Sequence, residues 1–473
     1  MRILASCRFP LLVSSLVTAL MLATTLSATS AHAAPRANEF KLANGMQVVV
    51  IEDKRAPVVT HMVWYRVGAA DEPRGESGIA HFLEHLMFKS TDKIAVGEFS
   101  KIVARLGGQD NAFTSQDTTA YFQRVAKDRL AKVMSMEADR MVNLRLTDNE
   151  VLTERNVILE ERRSRVDNNP SAILSEQMDA TLYYSHPYAI PVIGWEHEIA
   201  RLDREDALNF YKHYYAPNNA ILVVSGDVGV DEVRKLAEET YGKIPSNPEV
   251  GANRLRPVEP PQLAARELVL TDPRAGKASF HRYYLAPSYV KAQKGEAESL
   301  DVLVRILANG STSRLYKSLV VDKKIASSAG GWYHGDGLDS GKVALYAIAA
   351  DGSDLDQVEA EIDRVIADVA KNGVTEDELR RAKMGLTADY VYESDNQSNM
   401  ARRYGWGLVV GQSIEDIEEW PAAIERVTAA DVQKAAQKSL DIRQSVSGRL
   451  LPEADNDPGT SNKRASATAS PRG

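Results

Sequence analysis

A pattern that occurs twice, about half a chain apart, constrains the fold more than any other feature of this sequence. Residues 202–206, Leu-Asp-Arg-Glu-Asp, precede a predicted helix and then the apolar strand Ile221 to Val224. Residues 427–431, Val-Thr-Ala-Ala-Asp, also precede a predicted helix and then a strand, Ser445 to Leu450. The final aspartates lie at positions 206 and 431, which is an offset of 225 residues. A repeat at this offset indicates an internal duplication of one domain.

The segment between the two halves has the composition of a linker. Pro245 to Pro261 contains five prolines and almost no hydrophobic periodicity, which is typical of chain between domains. The helices and strands on either side of it predict two similar α+β domains, each a mostly antiparallel sheet packed against helices. The predicted organisation is a signal peptide (1–33), an N-terminal domain (38–245), a linker (246–264), a homologous C-terminal domain (265–451) and a disordered tail (452–473).

Composition and charge exclude several classes of protein. The 473 residues are 26% charged and 44% hydrophobic, which is unlike a disordered chain, a collagen-like fibre or a polytopic membrane protein. The net charge is −8 and no basic block stands out, so we predict no nucleic-acid partner. The single cysteine, Cys7, excludes a disulfide scaffold and a metal site built from cysteines.

The first 33 residues are typical of a secretory signal peptide. Arg2 and Arg8 give a positively charged start, Leu11 to Leu26 is apolar, and Ala31-His32-Ala33 supplies small residues for cleavage. The alternative is a membrane anchor that stays attached, although the apolar run is short and interrupted by Ser and Thr. We therefore predict an exported protein, periplasmic or secreted, with no stable membrane span after cleavage.

The segment His81-Phe82-Leu83-Glu84-His85 carries the clearest chemistry. On a helix, positions i and i+4 lie on one face, so the two imidazoles can bind one divalent metal. Glu84 projects from nearly the same face and can reach a metal-bound water. The order H-x-x-E-H is the inverse of the commoner zinc-protease motif. The alternative is two surface histidines beside a glutamate that only stabilises the helix.

A catalytic zinc site needs a third protein ligand and one open position. Glu154 and Glu161 lie on a long predicted helix, which begins at the capping-box pair Thr147 and Glu150. Seven residues are close to two helical turns, so Glu154 and Glu161 share a face. Glu160 points about 100° away and is the weaker candidate. The alternative is that these acids form a solvated helix face.

Several segments together resemble the pitrilysin or insulinase family of inverted-motif zinc peptidases. The resemblance is to its short, two-domain, processing-peptidase-like branch, and it covers about residues 38–450. The matching segments are His81 to His85 with Glu161, Leu42-x-Asn44-Gly45, Phe88-Lys89-Ser90-Thr91, Gly107-Gly108, Asn111-Ala112-Phe113-Thr114 and Tyr215-Ala-Pro217-x-Asn219.

The resemblance implies a zinc metalloendopeptidase and a role for each residue of the motif. His81, His85 and Glu161 would hold one Zn²⁺ per chain in the N-terminal domain, while the C-terminal domain would be of the inactive type. Glu84 would take a proton from the zinc-bound water, whose hydroxide then attacks the scissile carbonyl. Glu154 would orient a ligand or the base.

The resemblance also implies where a short or unfolded peptide would bind. Asn111, Ala112 and Phe113 would lie on an edge strand that pairs with the substrate backbone, because main-chain hydrogen bonds bind peptide without demanding a particular side chain. The sequence supports an extended conformation here, since Phe113 to Val125 is rich in threonine and aromatic residues.

The family's active members usually carry an Arg and a Tyr, seven residues apart in the second half, that bind substrate and stabilise the oxyanion. In an ungapped alignment, Val320 and Ser327 stand at these positions. The alternative is a local misalignment, with Tyr333 as the nearest downstream tyrosine. Because losing one oxyanion donor slows an enzyme about a hundredfold to a thousandfold, we predict a heterodimer with a homologous chain that supplies the pair. The rival hypothesis is a non-catalytic peptide-binding or scaffold subunit of a peptidase-like complex.

Overall fold

The computed structural model describes residues 36–250, 254 and 256–453. The predicted signal peptide, 1–33, and residues 454–473 of the predicted tail lie outside this range. From Ala37 onward the described chain forms one unit built around two large sheets. None of the helices in the described part is both long and apolar enough to cross a membrane.

The first half alternates strands and helices. Its strands are β1 (Ala37–Lys41), β2 (Gln47–Glu52), β3 (Val58–Tyr65), β4 (Ser90–Thr91), β5 (Gln109–Thr114), β6 (Thr119–Ala126), β7 (Leu144–Arg145) and β8 (Ala220–Gly226). Its helices are α1 (Ile79–Leu86), α2 (Glu98–Arg105), α3 (Leu130–Val142), α4 (Asp148–Arg162), α5 (Pro170–Leu182), α6 (Glu196–Ile199), α7 (Arg204–Tyr214) and α8 (Val230–Glu239). A π-helical turn, Arg163–Asp167, extends α4.

The second half follows the same plan. Its strands are β9 (Arg266–Asp272), β10 (Ser279–Ala286), β11 (Ala326–His334), β12 (Gly341–Ala349) and β13 (Ser445–Pro452). Its helices are α9 (Glu296–Leu307), α10 (Arg314–Tyr316), α11 (Leu355–Asn372), α12 (Glu376–Ser394), α13 (Gln397–Val410), α14 (Ile414–Arg426) and α15 (Ala429–Ser439). A π-helical turn, Lys317–Asp322, follows α10.

The two sheets have matching topologies. The first has the strand order β1-β2-β8-β3-β6-β5 and the second has the order β11-β12-β10-β13-β9. Each contains one parallel pair, β2 with β8 and β9 with β13, while the other pairs are antiparallel. The predicted fold class, two similar α+β domains with mostly antiparallel sheets, is confirmed.

One helix of each half packs on the sheet of the other half. The helices α1, α3, α7 and α8 cover one face of the first sheet, and α13 covers the opposite face by packing Met400 and Tyr404 near Trp64. In return, α5 packs Leu174 and Met178 on the second sheet. Because both faces of the first sheet are covered, β2 and β8 are nearly continuous apolar runs rather than alternating ones.

The predicted extended segment Phe113 to Val125 is wrong in one respect, since the chain forms a hairpin there. Strands β5 and β6 are joined by a turn at 115–118, in which the Ser115 hydroxyl accepts hydrogen bonds from the backbone N–H groups of Asp117 and Thr118. This turn contains neither glycine nor proline, so the usual sequence signal for a hairpin is missing. The helix predicted from Ile79 to Phe88 ends at Leu86.

The described part of the predicted linker is fixed by ionic contacts with both halves. The guanidinium group of Arg256 is 4% exposed and pairs with Asp71 and Asp117 of the first half. It also lies 3.5 Å from a carboxylate oxygen of Asp339 in the second half. Glu259 accepts hydrogen bonds from three successive backbone N–H groups, 184–186. The proline-rich segment therefore fastens the two halves together.

Candidate metal centre

The three predicted metal ligands converge between α1 and α4. The Nε2 atoms of His81 and His85 lie 3.9 Å and 3.5 Å from Oε2 of Glu161. One ligand atom from each of the three residues lies within 4.8 Å of the others, and no other histidine, cysteine or carboxylate group of this kind occurs in the described residues. The i, i+4 spacing places both imidazoles on the face of α1 that packs on α4.

The donor set fits zinc. Two imidazoles and a carboxylate are a known catalytic zinc set, and bonds of about 2.1 Å in a tetrahedral site separate the ligand atoms by about 3.4 Å. The His81 side chain is only 11% exposed, and burial lowers its pKa to about 3, which favours the neutral imidazole that binds metals. Arg165 pairs with the other oxygen of Glu161 at 2.8 Å, which leaves Oε2 facing the histidines.

Glu154 lies behind His85. Its Oε1 accepts a hydrogen bond from Nδ1 of His85 at 2.8 Å, and its Oε2 accepts one from Nζ of Lys89 at 2.5 Å. These two contacts, the first being the stronger, lower the pKa of Glu154 to about 2. The bond to Nδ1 directs Nε2 of His85 toward Glu161, which is the geometry expected of a residue that orients a metal ligand.

Glu84 lies beside the three ligands and is 9% exposed. Its Oε2 accepts a hydrogen bond from the Thr114 hydroxyl at 2.6 Å. Burial raises the pKa of Glu84, and the hydrogen bond from Thr114 opposes that rise. A carboxylate with a raised pKa, held close to the metal ligands, has the properties of a general base.

The segment that contains Asn111, Ala112 and Phe113 is strand β5, which forms one edge of the first sheet. Ala112 packs against the core below α1, while Phe113 faces the other side and stacks on Trp406 with ring centroids 6.0 Å apart. Asn111 is exposed. Since β5 pairs only with β6 among the described strands, its other backbone edge is open to an added strand.

Sequence reasoning missed several residues that hold this site together. They are Thr114, which contacts Glu84; Lys89, which contacts Glu154; Arg165, which contacts Glu161; and Glu72, whose carboxylate accepts hydrogen bonds from the N–H groups of Gly78 and Ala80 at the start of α1. Lys89 and Thr114 are within the segments that resemble the peptidase family, but sequence spacing does not reveal which atoms they contact.

In the second half, the residues aligned with the expected Arg and Tyr make packing contacts and hydrogen bonds within their own domain. Val320 lies in the π-helical turn and packs against the second core. Ser327 is exposed on edge strand β11 and donates its hydroxyl hydrogen to the Ile348 carbonyl at 3.3 Å. The hydroxyl of the nearby Tyr333 donates to the Pro287 carbonyl, and Arg314 is paired with Glu378.

Comparison with known proteins identifies relatives of both halves. The profile of the family described as "Insulinase (Peptidase family M16)" matches residues 47–195. The profile described as "Peptidase M16 inactive domain" matches residues 201–386. The chain is 33% identical to the zinc protease PqqE of Helicobacter pylori over 422 residues, which cover 88% of this chain and 93% of the relative.

Solved structures agree with this assignment. The crystal structure of a protease from Helicobacter pylori superimposes with a TM-score of 0.83 at 31% identity, covering 88% of this chain and all of the other. The periplasmic protease PqqL from Escherichia coli has a TM-score of 0.75 at 20% identity, but only 48% of its chain is covered. At that identity the second comparison concerns the fold alone.

Proposed function

The chain belongs to the insulinase family of peptidases, family M16, and from this premise we propose that it is a zinc metalloendopeptidase subunit that hydrolyses short or unfolded peptides. The observation that carries the proposal is the convergence of His81, His85 and Glu161 on one point, with Glu84 beside them. Four side chains from two helices meet there in the arrangement that metal-assisted hydrolysis requires.

In this proposal, some residues of the chain bind the metal and another transfers the proton. His81, His85 and Glu161 would hold one zinc ion, and Glu154 would keep His85 in the tautomer that presents Nε2. When bound, zinc would activate water and polarise the scissile carbonyl. Glu84 would take the proton from the attacking water and pass it to the leaving amine, because its raised pKa suits both steps.

The substrate would add a strand to the open edge of β5. Hydrogen bonds from the backbone at 111–113 would fix the peptide next to Glu84 without selecting a side chain. The contact between Thr114 and Glu84 supports this placement, because it puts the end of the strand 2.6 Å from the base.

A partner chain would complete the site. Val320 and Ser327 carry neither a guanidinium nor a phenol, so these two aligned positions do not supply the pair expected to stabilise the oxyanion. In the PqqL structure the same fold fills about half of a longer chain, which supports a two-half enzyme. We infer a heterodimer with a homologous chain that brings the Arg and the Tyr.

The same missing pair favours one rival function, a peptide-binding or scaffold subunit that contributes little cleavage. Export is part of the proposal in either case. It rests on the charged, apolar and small-residue pattern of residues 1–33. PqqL, which shares the fold, is a periplasmic protease, and that location is compatible with export of this chain.

The test is the Glu84→Gln variant in the complex purified through a tag on this chain. We expect full zinc content and loss of peptide hydrolysis, because the amide keeps the hydrogen bond from Thr114 but accepts no proton. Glu160→Gln, an exposed position on α4, is the matched control and should hydrolyse normally. Unchanged hydrolysis in Glu84→Gln would refute the base, and equal activity of the single chain and the complex would refute the partner.

A further inference from the structure

The second half contains a counterpart of the zinc cleft, which can be located by matching helix starts. Helix α1 follows Gly78 (φ 91°) and helix α9 follows Gly295 (φ 84°), and both glycines are left-handed N-caps. Counting six residues from each glycine gives Glu84 in the first half and Asp301 in the second. The second half therefore keeps a carboxylate at the position of the base.

The third ligand has a counterpart as well. Helices α4 and α12 both begin with a threonine capping box, at Thr147 and at Thr375. Fourteen residues further on stand Glu161 and Asp389, respectively.

The two histidines have no such counterparts. The positions that match His81 and His85 hold Glu298 and Val302. This cleft has therefore kept two carboxylates and lost both imidazoles. Among the described residues, the side chains of this second cleft do not form a group that could hold a metal ion.

A cavity of about 440 Å³ lies at this place, bounded by residues of α9, α12, α13 and α14. Asp301 lies behind its wall, where it accepts a hydrogen bond from the Tyr289 hydroxyl. The indole N–H of Trp420 donates to that hydroxyl at 2.6 Å, and Trp420 stacks on Tyr390 with ring centroids 5.5 Å apart and an interplanar angle of 18°. The cavity is thus walled by ordered aromatic rings.

The charges that line the cavity are mainly negative. The lining contains two ion pairs whose opposite charges cancel. They are Arg305 with Asp389 and Arg403 with Glu393, each at 3.0 Å. The lining also contains two carboxylates, Asp336 and Asp416, that have no ion pair among the described residues. Four carboxylates and two guanidinium groups leave a net charge of −2. Net negative charge attracts an ammonium or guanidinium group. The aromatic wall already accepts one such group, since the guanidinium carbon of Arg403 lies 3.7 Å from the centroid of the Tyr390 ring.

The cavity is connected to the substrate strand through Trp406. This ring lines the cavity, stacks on Phe113 of β5 and donates its N–H to the Asp336 carbonyl at 2.7 Å. Trp406 and Asp336 also line a neighbouring cavity of about 460 Å³, and Thr114 lines that cavity too. A peptide that paired with β5 and extended past Thr114 would therefore lie next to the acidic aromatic cavity.

We propose that this cavity binds a lysine or arginine side chain of the peptide substrate at a position away from the scissile bond. The proposal rests on the proposed peptidase function, since it assumes that peptide occupies β5. The remnant of the second cleft then selects substrates by charge, while the first cleft cuts them.

Binding is measured with the complex that carries Glu84→Gln, so that the result does not depend on hydrolysis. The probes are peptides of one sequence with a single arginine scanned along the chain, each paired with the uncharged isostere citrulline at the same position. We expect one position where the arginine peptide binds about tenfold more tightly than its citrulline partner. Asp336→Asn should remove most of that preference, and Asp389→Asn serves as a second variant should the first misfold. Asp351→Asn, an exposed aspartate outside the cavity, should leave it unchanged.

The outcomes separate the two proposals. Equal binding of arginine and citrulline peptides at every position, or an unchanged preference in both cavity variants, would overturn the basic-residue site. A charge preference without any hydrolysis by the unsubstituted complex would overturn the peptidase alone. Failure of every peptide to bind would overturn both.

Discussion

The hydroxyl of Thr114, the last residue of β5, donates a hydrogen bond to Oε2 of Glu84 on α1 at 2.6 Å. One contact thus joins the strand proposed to bind substrate to the carboxylate proposed to accept its proton. A buried carboxylate with one such donor has a restricted set of orientations, and the bond favours its ionised form against the effect of burial. Thr114 would therefore position the proposed base.

Replacing Thr114 with valine should slow hydrolysis without affecting zinc. A hydrogen bond to a charged group contributes about 1.5–3 kcal/mol, which corresponds to a fall in kcat of about tenfold to a hundredfold. Thr114→Ser keeps the hydroxyl and should restore most of the rate. Steady-state kinetics with one peptide, together with metal analysis, provides the check; a normal kcat in Thr114→Val would show that the contact has no catalytic role.

Glu161→Gln should lower the zinc affinity by more than tenfold, because a neutral amide replaces one anionic ligand. The matched control is Glu160→Gln, whose carboxylate is exposed and pairs with Arg163. Zinc content after dialysis against a competing chelator distinguishes the two variants. Full occupancy in Glu161→Gln would mean that another residue supplies the third ligand.

The proposed zinc ligands could be predicted from sequence because their spacing is local. The spacing of His81 and His85 and the spacing of Glu154 and Glu161 each follow from the period of one helix. The pairing of the two helices came from the family resemblance. The contact of Thr114 with Glu84 could not be predicted, since it depends on how a strand and a helix thirty residues apart are placed by the core.

The two-domain fold was also predictable, but the exchange of helices was not. Buried runs such as Ile221 to Val224 identify strands, yet they do not say which helix covers the second face. That helix, α13, comes from the other half and begins at Gln397, 171 residues after β8 ends at Gly226. The hairpin turn at 115–118 was missed because it contains no glycine; the Ser115 hydroxyl holds it by accepting hydrogen bonds from the backbone N–H groups of Asp117 and Thr118.

Arg256→Met should lower the free energy of unfolding by about 3–5 kcal/mol, because it leaves the buried carboxylate of Asp117 without its cationic partner, while Asp71 keeps its ion pair with Arg254. The comparison is Arg380→Met, an exposed residue that pairs with Asp377 on α12, where the loss should stay below about 1 kcal/mol. Urea unfolding followed by circular dichroism measures both. Similar small losses in the two variants would show that the linker does not fasten the halves.

Asp301 should make the stability of the chain depend on pH. Burial raises its pKa from 3.8 to about 7. Because this acid holds its proton more tightly in the folded protein than in the unfolded chain, its protonation favours folding, and its contribution to stability is lost as the pH rises from about 4 to about 7. Asp301→Asn cannot ionise, so the difference in unfolding free energy between pH 5 and pH 7.5 should shift toward greater relative stability at the higher pH. Asp351→Asn, at an exposed site, should reproduce the unsubstituted protein. The same pH difference in Asp301→Asn and in the unsubstituted chain would mean that Asp301 titrates at its ordinary pKa, and that water reaches it behind the wall of the 440 Å³ cavity.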